Sequence, residues 1–315
     1  MKKILCIGEA LIDMICTDRG KSLADGQNFL KKPGGAPTNV AAAVAALGGS
    51  VDLLACVGAD PFGKHLVDVM ESFHVSTQWV IRDPDHFTTF AFVSLMENGE
   101  RDFYFNRGAD GFLQPEVVES IPLEKVGIVH FGSATAFLPG PLQQSYLSLL
   151  KRARESGLLV SFDPNYRHLL FANARESFVE QSWHFLRQCD FFKLSDEEAL
   201  LLTGMDSVDA AAARLLEKTN AVFAITLGKE GTLLGQGGKT ERIASIPVKP
   251  VDTTGAGDAF VGAMLFQLSE LEQPRGLSTK EWIRLVTNAN KAGARTCEYL
   301  GAMEAFKHLS KDIFN

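Results

Sequence analysis

An aspartate that closes a glycine-rich turn can act as a base, and the turn itself can hold an anion. Residues Asp252-Thr253-Thr254-Gly255-Ala256-Gly257-Asp258-Ala259-Phe260 have this form, followed by an apolar stretch that reads as a helix and preceded by an apparent strand end at residues 246–251. Gly255 and Gly257 let the backbone approach a ligand with no side chain in the way. The amides of Gly255, Ala256 and Gly257 would then lie at the helix N-terminus, a place suited to the anionic oxygens of a transferring phosphoryl group. Asp258, in the first helical turn, could take a proton from an attacking hydroxyl. A plain glycine turn with an ordinary helix-start aspartate is the bland alternative, and it does not account for the whole nine-residue string.

Other segments offer polar groups that such chemistry would need. Gly34, Gly35 and Asn39 stand at the start of an Ala/Val-rich helix, and Asp13 follows the first strand among apolar neighbours. A carboxylate there is costly unless solvated or paired, and it could accept hydrogen bonds from ligand hydroxyls. Phe103 and Phe105 alternate on one strand, as core aromatics usually do, with Arg107 close behind. Arg107 and Arg167 suit either ligand oxygens or structural ion pairs. Lys193-Leu194-Ser195-Asp196-Glu197-Glu198 leaves a strand and opens a helix, where Ser195 or Asp196 can cap and the acids complement the helix dipole. Thr226-Leu227-Gly228-Lys229-Glu230-Gly231 reads by itself as a strand end turning into a hairpin. Neither a Walker A sequence nor a dinucleotide G-x-G-x-x-G follows the first strand.

The elements that must position these residues alternate. Residues 4–8 read as a buried strand, 38–47 as a helix stopped by Gly48-Gly49, 51–57 as a strand and 62–73 as a helix, the rhythm of a parallel sheet with crossover helices. The rhythm breaks at about 79–106, where β-rich runs flank Glu97-Asn98-Gly99-Glu100, a hairpin signal. These runs, with residues 13–32, predict an antiparallel lid built from about 13–32 and 79–110, of the kind that closes over a substrate. The alternation resumes with strands at 128–131, 159–162, 191–194 and 222–226. A hairpin around Gly237-Gly238 and a helical last third complete the chain.

Bulk properties exclude several classes. The 315 residues carry a formal charge of -7 with no basic tract, so nucleic acid is not an expected partner. Cys6, Cys16, Cys56, Cys189 and Cys297 are scattered and odd in number, which argues for reduced thiols in a cytoplasmic core rather than a disulfide or zinc framework. The apolar run after Met1 is short and broken by Glu9, and no stretch reaches membrane-spanning length, so neither a signal peptide nor a membrane partner is expected.

The string Asp252 to Phe260 resembles the C-terminal signature of the PfkB, or ribokinase-like, carbohydrate kinases, and Pro33-Gly34-Gly35-Ala36-Pro37-Thr38-Asn39-Val40-Ala41 resembles the N-terminal one. Gly8-Glu9-Ala10-Leu11-Ile12-Asp13 and Asp163-Pro164-Asn165-Tyr166-Arg167 are most similar to the fructokinase branch. The resemblance spans almost the whole chain. It implies one α/β domain over residues 1–315, a ribokinase-like sandwich with a central, mostly parallel sheet and a small β lid. It implies transfer of the ATP γ-phosphate to a primary hydroxyl, with D-fructose as the first acceptor. 2-Keto-3-deoxygluconate, ribose and a nucleoside such as aminoimidazole riboside are the rivals. A non-catalytic sensor on the same fold would have lost the base or the turn, and both are present.

By the same resemblance Asp258 is the base and Gly255, Ala256 and Gly257 form the anion hole. Asp13, Gly34, Gly35 and Asn39 contact the sugar, with Phe103, Phe105, Arg107 and Arg167 beside it. Lys193, Thr226, Gly228, Gly231, Gly255 and Gly257 touch the nucleotide, and Asn288 and Ala292 line its adenine pocket. Glu198 serves Mg²⁺ through water, and Ser195 stands where the family often has Asn. Asp252, which has a loop-capping alternative, and Thr254 match a K⁺ site, with backbone oxygens from 296–301. A homodimer through the lid edge follows by analogy, since exposed β edges invite pairing.

Overall fold

In the computed structural model, which describes residues 2–95 and 101–314, the chain starts with β1 (Lys3–Ile7). It swings out through β2 (Leu11–Cys16) and β3 (Phe29–Gly34), and returns by α1 (Ala36–Ala46) to β4 (Val51–Gly58), α2 (Pro61–Ser72) and β5 (Ser76–Asp83). A second excursion makes β6 (Phe90–Leu95) and β7 (Arg101–Asn106). The alternation then runs α3 (Pro115–Ser120), β8 (Val126–Gly132), α4 (Pro141–Glu155), β9 (Leu159–Asp163), α5 (Arg175–Leu186), β10 (Phe191–Ser195), α6 (Asp196–Thr203), α7 (Val208–Lys218) and β11 (Val222–Thr226). The hairpin β12 (Thr232–Gln236) and β13 (Lys239–Ile243) precedes α8 (Ala256–Glu270), α9 (Thr279–Thr296) and α10 (Ala302–Phe306).

Nine strands form the main sheet in the order β13-β12-β11-β10-β9-β8-β1-β4-β5, with only the β12 and β13 pairings antiparallel. One core packs α1, α2, α8, α9 and α10 on one face, and a second packs α3 to α7 on the other. Strands enclosed on both sides read as continuous apolar runs, and every residue of β4 is buried accordingly. The order runs outward in both directions from the β1–β8 pair. The crevice beyond the carboxyl ends of such a switch point is where open α/β sheets bind ligands.

The lid is a second sheet of order β3-β2-β6-β7. Three features differ from expectation. Residues 79–83 belong to β5 of the main sheet, where Trp79, Val80 and Ile81 pair with Leu54, Ala55 and Cys56. An edge strand has the same half-buried pattern as a lid strand, so only its partner distinguishes them. The lid is also mixed, because β2 and β6 pair in parallel. The turn predicted at 97–100 lies outside the described residues. Residues 246–251 make no strand; Pro247 and Pro250 lack the N–H donors a ladder requires.

Two of the linkers that join the lid to the main body, before β6 and after β7, are tied together. Ala109 N donates to Phe87 O at 2.8 Å, and Gly108 N donates to the Thr89 hydroxyl at 2.8 Å. The buried Asp110 carboxylate accepts from the hydroxyls of Thr89 and Thr135. Asp60 caps α2 and also accepts from Thr88 N at 2.7 Å. Among the described residues no helix is long and apolar enough to cross a membrane.

Helices α1 and α8 pack closely because Gly262 offers no side chain: a Cβ there would stand 2.6 Å from Ala43 Cβ. Gly262→Leu is expected to force the pair apart at a cost of ~1–3 kcal/mol. Urea unfolding measures this, and an unchanged midpoint would show that the two helices tolerate separation.

Candidate functional site

The two glycine segments, far apart in sequence, meet at the carboxyl edge of the main sheet. Asn39 of α1 donates from Nδ2 to Asp258 Oδ2 of α8 at 2.8 Å, across 219 residues of chain. Helix α8 starts at Gly255, whose φ of 80° is left-handed and whose added Cβ would collide with Ala302. A glycine is needed there for both reasons. The first amides of α8 have no carbonyl partner in their own helix; Ala256 N turns back to the Thr253 carbonyl at 3.2 Å, so Gly257 N is the one turned to the adjoining space. Gly35 plays the matching part at α1: its φ is 109°, and a Cβ would strike the Glu9 carbonyl.

Asp258 is half-buried. Burial raises its pKa above the ordinary carboxylate value, opposed by the Asn39 hydrogen bond and by the charges of Lys193 and Arg167. The result is a stronger base than an exposed aspartate, poised beside the helix terminus. Lys193 is buried on β10 and pairs with Asp163 Oδ2 of β9 at 3.2 Å. Burial opposes its charge, but Asp163, Glu198 and Asp258 together outweigh that and raise its pKa. A Cβ on Gly257 would lie 3.2 Å from Lys193 Nζ, so a fixed cation adjoins the anion turn.

On the lid strand β2, Asp13 is pushed up to about 6 by burial, with Arg167 pulling the other way. Its carboxylate lies against Gly34, where a side chain would displace it. The lid register puts Asp13 opposite Ala91 and Ala91 opposite Phe105, with Val93 and Phe103 two residues further on. Phe103 and Phe105 therefore share the Asp13 face, their rings stacked 6.4 Å apart. Arg167 is exposed at the end of β9, and its charge acts on Asp13, Glu9 and Asp258. Arg107 takes the structural option. It donates to Pro139 O at 2.8 Å and Thr135 O at 3.3 Å and stands 3.8 Å from Asp110, which leaves it engaged away from the acidic groups around Asp258.

A cavity of about 600 Å³ opens on the other side of the α8 terminus, lined by Thr226, Gly228, Gly231, Ala256, Gly257 and Asn290 among others. It is large enough for a nucleotide-sized ligand. Asn288 and Ala292 do not line it. Asn288 donates to Gln267 Oε1 at 2.8 Å and locks α9 to α8, while Ala292 is wholly buried in the core. The cavity face of α9 is Asn290, Gly293, Ala294 and Cys297, the i, i+3, i+4, i+7 stripe of one helix side. That spacing was the signal available in the sequence. Asn290 is fixed by Thr232 Oγ1 at 2.6 Å and by the Ile243 carbonyl.

Glu198 is half of a capping box: Ser195 N donates to its Oε2 at 2.8 Å, and Ser195 Oγ accepts from Glu198 N at 3.1 Å. Tyr166 N takes its other oxygen at 2.8 Å. This explains Ser195 as a cap. Among the described residues no group of three or more His, Cys, Asp or Glu could hold a metal. The remaining lone pairs of Glu198 suit a metal-bound water, as Mg²⁺ prefers. Asp252 shows the loop-capping arrangement, accepting from Thr254 N and Oγ1 and from Gly301 N. Against its partial burial, these bonds hold its carboxyl below the usual range. Sequence reasoning gave no role to Glu9 or Asn165, which are buried here with unpartnered oxygens; Asn165 also has a left-handed φ of 49°.

Ser195→Ala should lose the cap of α6 and about 1 kcal/mol of stability, while turnover stays within a few-fold. Thermal unfolding beside a steady-state assay measures both. A collapse of activity at unchanged stability would show Ser195 to be more than a cap.

Comparison with known proteins matches this arrangement. The model of the pfkB family carbohydrate kinases matches residues 1–308. The chain is 36% identical over 304 residues to Fructokinase-1 of Zea mays, covering 95% of this chain and 93% of that protein. A fructokinase of Vibrio cholerae, solved with fructose, ADP and a potassium ion, superposes with a TM-score of 0.85 at 29% identity, covering 100% of this chain and 97% of that one. A fructokinase of Xylella fastidiosa with bound ATP gives 0.86 at 29% identity, covering 99% and 96%. A family match over nearly the full length, a shared fold and two signature segments joined at Asp258 lead to one conclusion: this chain belongs to the pfkB family of carbohydrate kinases.

Proposed function

We propose that this enzyme transfers the γ-phosphate of ATP to the primary hydroxyl of D-fructose, giving fructose 6-phosphate, with Asp258 as the base. The observation that carries the reading is the Asn39–Asp258 hydrogen bond, which joins the lid-covered side of the site to the anion turn. The fructokinases among the relatives support fructose as the acceptor. The acidic-sugar alternative drew on two arginines, and Arg107 is held internally. The curated relatives are fructokinases, which favours fructose over ribose, a nucleoside or a non-catalytic sensor.

The chemistry follows from the placement. The sugar lies between Asp13, Gly34, Gly35, Asn39 and the Phe103–Phe105 face, with Arg167 at its edge. Thr226, Gly228, Gly231 and the α9 face hold the nucleotide, its phosphates toward Gly257 and Lys193. The hydroxyl loses its proton to Asp258 as its oxygen bonds to phosphorus, and the bond from phosphorus to the ADP oxygen breaks. Charge on the transferring group is met by the Gly255, Ala256 and Gly257 amides and by Lys193. Mg²⁺, reached from Glu198 through water, would neutralise phosphate charge when bound. K⁺ would sit beside Asp252 and Thr254, where it supports the α8 turn. Five free cysteines support a cytoplasmic setting. Exposed Ile15, Leu30, Leu95 and Tyr104 on the lid support pairing with a second copy, and a monomeric mass by light scattering would contradict that.

Asp258→Asn keeps the shape and removes the base, so kcat should fall ~10²–10⁴-fold. A coupled ADP-release assay measures it, and wild-type turnover would reject the assignment. The acid limb of wild-type kcat/KM should lie above the ordinary Asp value of about 3.9. Burial raises the Asp258 pKa, and the protonated carboxyl cannot accept the sugar's proton, so activity is lost as pH falls.

A further inference from the structure

Glu9 follows β1 at the switch point of the sheet and is only 1% exposed. Its Oε1 accepts from Ala36 N, the first amide of α1, at 2.8 Å, and its carbonyl accepts from the Thr38 hydroxyl at 2.8 Å. Its other carboxyl oxygen, Oε2, is buried without a hydrogen-bond partner. An ordinary cap comes from a Ser, Thr, Asp or Asn at the helix start and fixes a helix only to the residue just before it. Here the N-cap is Gly35, which has no side chain, and the cap arrives from 27 residues upstream on another element. It therefore fixes where α1 starts relative to the main sheet. Asn39 lies one turn along that helix, its own amide bonded to the Gly35 carbonyl at 2.8 Å.

We infer that Glu9 is a positioning residue for phosphoryl transfer: through its two ties to α1 it places Asn39 against Asp258. This rests on the reading of Asp258 as the base. The surroundings suit a neutral carboxyl. Asp110 and the Tyr146 hydroxyl face it from the lid linker and α4, and Arg107 and Arg167 face it from the loops after β7 and β9. Burial pushes Glu9 up to about 8, and neither arginine offsets that. A neutral amide of the same shape should then serve as well.

The test compares Glu9→Gln, which keeps the acceptor for Ala36 N, with Glu9→Met, which keeps the volume and removes it. The expected result is Glu9→Gln within threefold of wild-type kcat between pH 6 and 7. Glu9→Met should lose at least tenfold in kcat with KM for ATP unchanged. The acid limb of kcat/KM should move up in Glu9→Met, because the hydrogen bond that lowers the Asp258 pKa is loosened. A folded Glu9→Met with wild-type kcat and acid limb, or equal losses in both variants, would overturn the inference. If Glu9→Met does not fold, Thr38→Val cuts the second tie alone; it should move kcat and the acid limb the same way by less, and no movement would equally overturn it. Failure of the base reading shows separately, as wild-type turnover in Asp258→Asn.

Discussion

One hydrogen bond organises this molecule: the amide of Asn39 on the carboxylate of Asp258. Each residue belongs to a helix whose first turn is set by a glycine in a conformation other residues avoid. Bringing those helix starts together requires α1 and α8 to lie side by side, and the small residues Ala43 and Gly262 allow that approach. The bond also acts electrostatically. It favours the charged form of the carboxylate and so opposes the burial that raises the Asp258 pKa.

The rest of the site balances that carboxylate. Asp163, Glu198 and Asp258 surround Lys193, which is why a buried lysine retains its charge beside the anion turn. Burying charges is costly, and breaking such a set by removing one member usually costs more than the set contributes to stability. Glu198 is held by two backbone amides and Asp163 by Lys193, so neither carboxylate can swing away. The lid faces this charge with the opposite character. Phe103 and Phe105 give it an apolar face, and its linkers are pinned by Asp60 and Asp110.

Much of this was legible in the sequence because it is local. A helix N-terminus with glycines and an aspartate in register is one continuous string, and so is the Gly34–Asn39 segment. The alternation of the main sheet was also readable, since buried parallel strands are apolar throughout. What could not be read depends on partners distant in sequence. β5 has the composition of a lid strand, and only β4 places it in the main sheet. Arg107 carries the same charge wherever it points, and only the carbonyls of Thr135 and Pro139 show that it is engaged. Asn288 and Asn290 are the same residue type two positions apart on one helix. Their 200° separation sends one to α8 and the other to the cavity. Glu9 was passed over because its partner is a backbone amide on another element, which has no sequence pattern.

The central claim is that Asp258 is a half-buried base tuned by Asn39, and a direct titration of that carboxyl tests it. Carbon-13 NMR of the labelled aspartate side chains, assigned through Asp258→Asn, would give its pKa in the wild type and in Asn39→Ala. The account predicts a wild-type value above that of an exposed aspartate and a still higher one in Asn39→Ala, where the hydrogen bond favouring the charged form is gone. An ordinary wild-type value, or one unmoved by loss of the Asn39 amide, would contradict it.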